Sequence, residues 1–271
     1  MTFHTTEPAF RFRQGTQPLL ISMPHAGTHV PPALAARFTP EAQQLHDTDW
    51  HLERLYDFAD ALGASVLVAT HSRYVVDLNR PPNGASLYPG QSVTGLCPVD
   101  TFAETPIYAN GIGPDSAEIN VRLETVWAPY HHQLRTELDR LRTVHGAAVL
   151  WDAHSIRSIV PRFFEGKLPD LNLGTANGAS CDRALADELL AIVRSATGYT
   201  GVLNGRFQGG HITRHYGQPE QKIHAVQLEM TQCSYMQEAI PFDFLPNLAA
   251  GIQPTLANML LAALAFAQKR R

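Results

Sequence analysis

Among its 271 residues the chain has only three cysteines, Cys97, Cys181 and Cys233, far apart and odd in number. They form no disulfide framework, and no CxxC pair offers a thiolate metal site, so a reducing, cytoplasmic setting is expected. Positive charge is also scarce: Lys and Arg total 21 against 25 Asp and Glu, a formal charge of −4. A nucleic-acid binder needs a basic face to neutralise phosphate, so that partner class is set aside. Charged residues make up 17% and apolar ones 44%, which excludes a disordered chain. The opening residues, MTFHTTEPAFRFRQGTQ, have neither the apolar run nor the basic lead of a secretory signal. The longest apolar stretch, around Leu256 to Ala267, contains Asn258 and is shorter than a bilayer requires, so no membrane partner is expected. Repeats, low-complexity tracts and long Gly/Ser linkers are missing, which points to a single domain over residues 1–271. There is no GxSxG elbow for a serine hydrolase, no HExxH pair, and no cysteine in an activating motif. What the chain has in quantity is histidine, 13 residues, and that directs attention to metal or acid–base chemistry.

The hydrophobic pattern alternates between strands and helices. Leu19 to Met23 reads as a buried strand ended by Pro24. Asp49 to Leu62 has helical spacing closed by Gly63, and Ser65 to Ala69 and Tyr74 to Leu78 read as further strands. A long Gly- and Pro-containing connection from Pro81 to Pro114 is expected to serve the site, as loops of that length usually do. Ile119 to Leu141 forms an amphipathic helical stripe, kinked or divided at Pro129; His131 and His132 fall on its surface. Ala147 to Trp151 reads as a strand, Asp182 to Ser195 as a helix, Ala225 to Met230 as a strand, and Asn247 to Gln268 as a closing helix. This order predicts an α/β domain with a mixed or mostly parallel sheet flanked by helices. In such sheets ligands bind beyond the carboxyl ends of the strands.

Those ends carry unusual polar groups: His25 after the first strand, Asp77-Leu78-Asn79-Arg80 after the strand at Tyr74, Asp152 and His154 after Trp151, and Glu229 near the end of the last strand. Asp49 shares the apolar face of its helix at the first turn and so points inward. Two imidazoles, one carboxylate and an open position make a composition suited to catalytic zinc. Such an ion polarises a carbonyl and acidifies water, and Glu229 could serve as the proton carrier. The bland readings are a capping Asp49 and an ion-paired Glu229.

At these residues the chain resembles the N-formylglutamate amidohydrolase (deformylase) family, through SMPHAGTHVP, DTDWHLERLY, SRYVVDLNRPP, WDAHSIRS, FQGGHITRHYG and VQLEMTQCSYM in that order. The resemblance implies kinship with zinc carboxypeptidases and aspartoacylase, and hence a carboxypeptidase-like (phosphorylase/hydrolase-like) fold. It implies one Zn2+ held by His25, Asp49 and His154, with Asp47 the alternative carboxylate, and Glu229 as the general base and acid. The implied reaction is hydrolysis of N-formyl-L-glutamate to L-glutamate and formate, in histidine degradation. A dianionic small-molecule substrate needs cationic anchors: Arg80 and Arg214 are the leading candidates, with Arg157, Arg73 and Asn79 behind them. The other readings are an amidohydrolase of a different N-acyl acidic amino acid and a non-catalytic zinc or dicarboxylate binder.

Overall fold

In the computed structural model, which describes residues 3–86, 90 and 92–270, a seven-stranded mixed sheet runs in the order β1-β3-β2-β4-β7-β5-β6. The strands are β1 (Phe10–Arg13), β2 (Leu19–Met23), β3 (Ser65–Ala69), β4 (Ala148–Ile156), β5 (Leu171–Gly174), β6 (Gly201–Leu203) and β7 (Ile223–Thr231). The central four, β3, β2, β4 and β7, are mutually parallel. β1 adds antiparallel at one edge, and β5 adds antiparallel to β7 with β6 parallel beyond it. The expected α/β class and mixed sheet are the ones found. Every residue of β2, β4 and β7 is buried, as befits parallel strands covered on both faces.

The helices are α1 (Pro32–Ala35), α2 (Leu52–Leu55), α3 (Ser116–Arg122), α4 (Ala128–His145), α5 (Arg183–Ser195), α6 (His211–Tyr216) and α7 (Pro246–Lys269). The two-residue period of the strands divides the core. Val149, Trp151 and Ala153 of β4, with Val226, Leu228 and Met230 of β7, pack with Leu185 and Leu189 of α5 and Leu256 and Leu260 of α7. Ala148, Leu150 and Ala225 face the other way, onto Leu134, Leu138 and Leu141 of α4. Asp182 caps α5, its carboxylate accepting from the Ala184 amide, at the boundary the sequence marks.

Several elements differ from expectation. The stretch from Asp49 to Leu62 is helical only at Leu52–Leu55, followed by a 3₁₀ turn at Asp57–Ala59. His51 adopts a left-handed conformation (φ 63°) that blocks an earlier start. Asp49 therefore lies in the turn before the helix, its amide donating to the His25 carbonyl. Tyr74 to Leu78 is buried but not a strand. Ser72 accepts from the amides of Tyr74 and Val75, and Asp77 from those of Asn79 and Arg80, so local turns replace the ladder. β4 extends to Ile156, placing Asp152 and His154 within the strand rather than after it.

Between α3 and α4 the helix passes through a π-turn at Leu123–Trp127, directly ahead of Pro129, where the proline's missing N–H would otherwise break an α-turn. The short strands β1, β5 and β6 escaped the periodicity. α7 matches the expected closing helix, Asn247 to Gln268, to within one residue at each end. By length and composition it could cross a membrane, but ten of its residues are buried in the fold. Residues 87–89 and 91 of the long connection lie outside the described residues.

Candidate metal centre

Strand pairing builds the floor of the site. In the parallel register of β4 and β7, His154 stands beside Glu229 and Asp152 beside Gln227, all on the face turned away from Trp151 and Leu228. The turn after β2 presents His25, and the main-chain bond from Asp49 to the His25 carbonyl ties the third group to it. As a result Nδ1 of His154 lies 3.2 Å, and Nδ1 of His25 3.8 Å, from Oδ2 of Asp49. The ligating atoms of all three buried residues fall within 4.8 Å of one another. Tetrahedral ligands at about 2.0–2.2 Å from one ion stand roughly 3.4 Å apart, so the three groups fit a single cation.

The outward nitrogens are held by carboxylates. His25 Nε2 donates to Asp77 Oδ1 at 2.7 Å, and Arg73 Nη2 donates to Asp77 Oδ2 at 2.7 Å. Nε2 of His154 lies 3.1 Å from Asp152 Oδ1 and 3.0 Å from Asn79 Nδ2. That Asp152 oxygen is buried without a well-aligned donor among the described residues. The tautomer with its proton on Nε2, the nitrogen nearest this carboxylate, leaves Nδ1 free to ligate. Asp152 Oδ2 accepts from the Thr213 hydroxyl, which fixes the carboxylate.

Four buried carboxylates, Asp49, Asp77, Asp152 and Glu229, surround this point. Burial alone would discharge His154, but Asp152 and Asp49 outweigh it and hold its pKa well above the usual value. Burial and the Arg73 charge pull His25 down, against Asp77 and Asp49. Burial opposes the charge on Asp77 too, yet Arg73, His25 and Arg80 keep its carboxyl well below the ordinary range. Glu229 goes the other way: burial, with Asp49 adding to it against His154, raises it to about 8. A positive charge at the centre of this carboxylate ring is what the electrostatics favour, and a divalent cation satisfies them.

Glu229, His25, His154, Asn79, Arg73, Arg80 and Arg206 line one cleft, together with Ser92, Phe102, Phe163 and Phe207. Asp47 is elsewhere: it accepts from the Tyr74 hydroxyl and the Phe102 amide. Of the two candidate carboxylates, Asp49 is the one brought to the imidazoles. Arg80 reaches the cleft wall while donating to Thr94, and its neighbour Asn79 accepts from the Ile212 amide. Gly210 makes that approach possible, since a Cβ there would lie 2.3 Å from the Asn79 amide nitrogen. Arg214 and Arg157 do not line the cleft; Arg214 Nε donates to the Gly209 carbonyl.

Sequence reasoning passed over Asp77 and Asp152 as orienting groups, although both stand in the quoted motifs DLNR and WDAHS. Arg73, placed behind Arg80 and Arg214, lines the cleft, and so does Arg206, which lies outside every quoted motif. His131 is not a surface residue. It is buried, its Nε2 donating to the Leu78 carbonyl while Trp127 Nε1 donates to the Arg80 carbonyl, so one helical turn holds the main chain on both sides of Asn79.

The fold and this centre define an α/β protein with a candidate single-metal site at the carboxyl edge of a mixed sheet. The chain belongs to the N-formylglutamate amidohydrolase family, whose sequence profile matches residues 17–236. It is 54% identical over 259 residues to the N-formylglutamate deformylases of Pseudomonas aeruginosa and Pseudomonas putida, covering 96% of this chain and 97% of each of theirs. The crystal structure of an N-formylglutamate amidohydrolase from Ralstonia eutropha JMP134 shares the fold, with a TM-score of 0.78, 24% identity, and coverage of 97% of this chain and 98% of that one.

Proposed function

We propose that this chain is a zinc-dependent, cytoplasmic N-formylglutamate deformylase of histidine degradation, built as one domain. The observation that carries the reading is the convergence of His25, Asp49 and His154 with Glu229 beside His154 on the paired strand. The name carried by the two Pseudomonas relatives supports the substrate.

His25, Asp49 and His154 would hold the zinc, which when bound supplies Lewis acidity at the formyl oxygen and an acidified water. Glu229, beside His154, would accept the proton released when water adds to the formyl carbon. It then returns the proton to the amide nitrogen as the C–N bond breaks, releasing formate and glutamate. The raised affinity of Glu229 for a proton suits this carrier role. Arg73, with Nη1 3.3 Å from His25 Nδ1, is a fixed cation next to the reacting centre, where negative charge develops on the formyl oxygen. Asn79 and Arg80 at the cleft wall receive the α-carboxylate. Arg214 and Arg157 hold the surrounding segments rather than substrate in this reading.

The test couples formate release from N-formyl-L-glutamate to metal content by mass spectrometry. Chelation is expected to remove zinc and activity together, zinc to restore both, and His154→Ala to lose the metal. Full turnover by metal-free protein would overturn the mechanism. N-acetyl- and N-succinyl-glutamate as comparison substrates decide the acyl group.

A further inference from the structure

Three arginines line the cleft, and they are not equivalent. Arg73 and Arg80 belong to the metal end. Arg73 touches His25 and Asp77, and Arg80 Nη1 lies 3.9 Å from Asp77. Arg206 comes from a different segment, the loop after β6. Its Nε donates to the Phe163 carbonyl at 2.6 Å, Nη2 approaches the Ser92 carbonyl at 3.4 Å, and its guanidinium carbon lies 5.7 Å and 5.3 Å from the ring centroids of Phe163 and Phe207. A guanidinium tethered through Nε to a main-chain carbonyl and flanked by two aromatic rings is oriented in advance, which lowers the entropy lost when it binds a carboxylate.

The substrate class named above has three anionic positions during reaction: the developing oxyanion, the α-carboxylate next to the amide, and the side-chain carboxylate farther along the chain. The first two lie near the scissile bond and fall to Arg73 and Arg80. We propose that Arg206 binds the side-chain carboxylate and is the residue that makes this cleft select N-formyl acidic amino acids. The assignment rests on the deformylase reading. It adds to that reading the group that distinguishes glutamate from a neutral side chain of equal length.

The experiment compares N-formyl-L-glutamate with N-formyl-L-norvaline, which matches the chain length without the distal carboxylate, in the zinc-loaded wild-type enzyme and in Arg206→Gln and Arg206→Lys. In Arg206→Gln, kcat/KM for N-formylglutamate is expected to fall about 100-fold, chiefly through KM, while the value for N-formylnorvaline changes by less than about threefold. Arg206→Lys keeps the charge but not the bidentate fork, so its selectivity is expected to fall about tenfold. Equal losses on both substrates, or an unchanged glutamate-to-norvaline ratio in either variant, would overturn the assignment. If the wild-type enzyme releases formate from neither substrate, the deformylase reading itself fails. Selectivity lost with wild-type activity intact supports Arg206 independently of the metal chemistry.

Discussion

The two faces of strands β4 and β7 come from alternate residues of the same two segments, yet they age differently along the strand. One face is apolar from end to end: Val149, Trp151 and Ala153 beside Val226, Leu228 and Met230. The other begins apolar at Ala148, Leu150 and Ala225, then turns polar at Asp152, His154, Gln227 and Glu229. The first face has one task, which is burying surface against α5 and α7. The second changes task halfway, at the carboxyl ends where the covering helix α4 gives way to a cleft. Buried polar groups are costly unless each finds a partner. Here His25 and Arg73 both donate to Asp77 and Thr213 holds one oxygen of Asp152, while the other Asp152 oxygen has no well-aligned donor among the described residues, and the charge still wanting is that of a cation. Stability and chemistry are thus separated by a single residue step.

That separation can be broken most directly at neighbouring positions. Glu229→Gln keeps shape and removes the proton carrier, so kcat is expected to fall about 10³-fold with zinc content unchanged; a loss below tenfold would take Glu229 out of proton transfer. Leu228→Ala, one residue away on the apolar face, is expected to cost about 2–5 kcal/mol of unfolding free energy while the folded fraction keeps its turnover. Denaturant titration with active-site counting tests this, and a large kcat defect would show the faces to be coupled. Asp77→Asn removes the acceptor behind His25 and is expected to weaken zinc binding about 10- to 100-fold in competition with a chromophoric chelator.

A pH test reaches the packing behind the site. Burial lowers His131 to about 3 in the folded protein, with His211 and His215 adding in the same direction against the bond to Leu78. Its unfolded value is about 6.5. Between these the unfolded chain binds the extra proton, so stability is complete above pH 6.5 and declines as pH falls toward 3, by up to about 1.4 kcal/mol per pH unit. Denaturation midpoints at pH 7.5 and 5 should show this decline, reduced by about one proton's worth in His131→Gln; an identical slope in the variant would refute it. The smallest effect is expected at the exposed Arg11–Glu53 pair, whose removal should change stability by less than about 1 kcal/mol and activity not at all.

Much of this was legible in the residues. The buried runs of β2, β4 and β7 and the amphipathic α4 and α5 declared themselves by period and caps. The family motifs carried His25, His154 and Glu229. What escaped was governed by contacts between distant segments. Tyr74 to Leu78 has strand composition, but Ser72 and Asp77 capture its amides. Asp49 has helical spacing, but the His25 carbonyl holds it outside α2. Arg206 sits in no motif, and only the folding of the loop after β6 against Phe163 brings it to the cleft, whereas Arg214, inside a motif, lies off it.

Local pattern alone was enough to establish the α/β layering, because that follows from short-range periodicity, while the candidate metal ligands needed the order of the separated family motifs as well. Which carboxylate joins the two imidazoles, which arginines face the cleft, and which acids stand behind the histidines were decided by strand register and loop packing. Those bring together groups as far apart as Asp49 and His154, separated by 105 positions, and no one-dimensional period encodes such a distance.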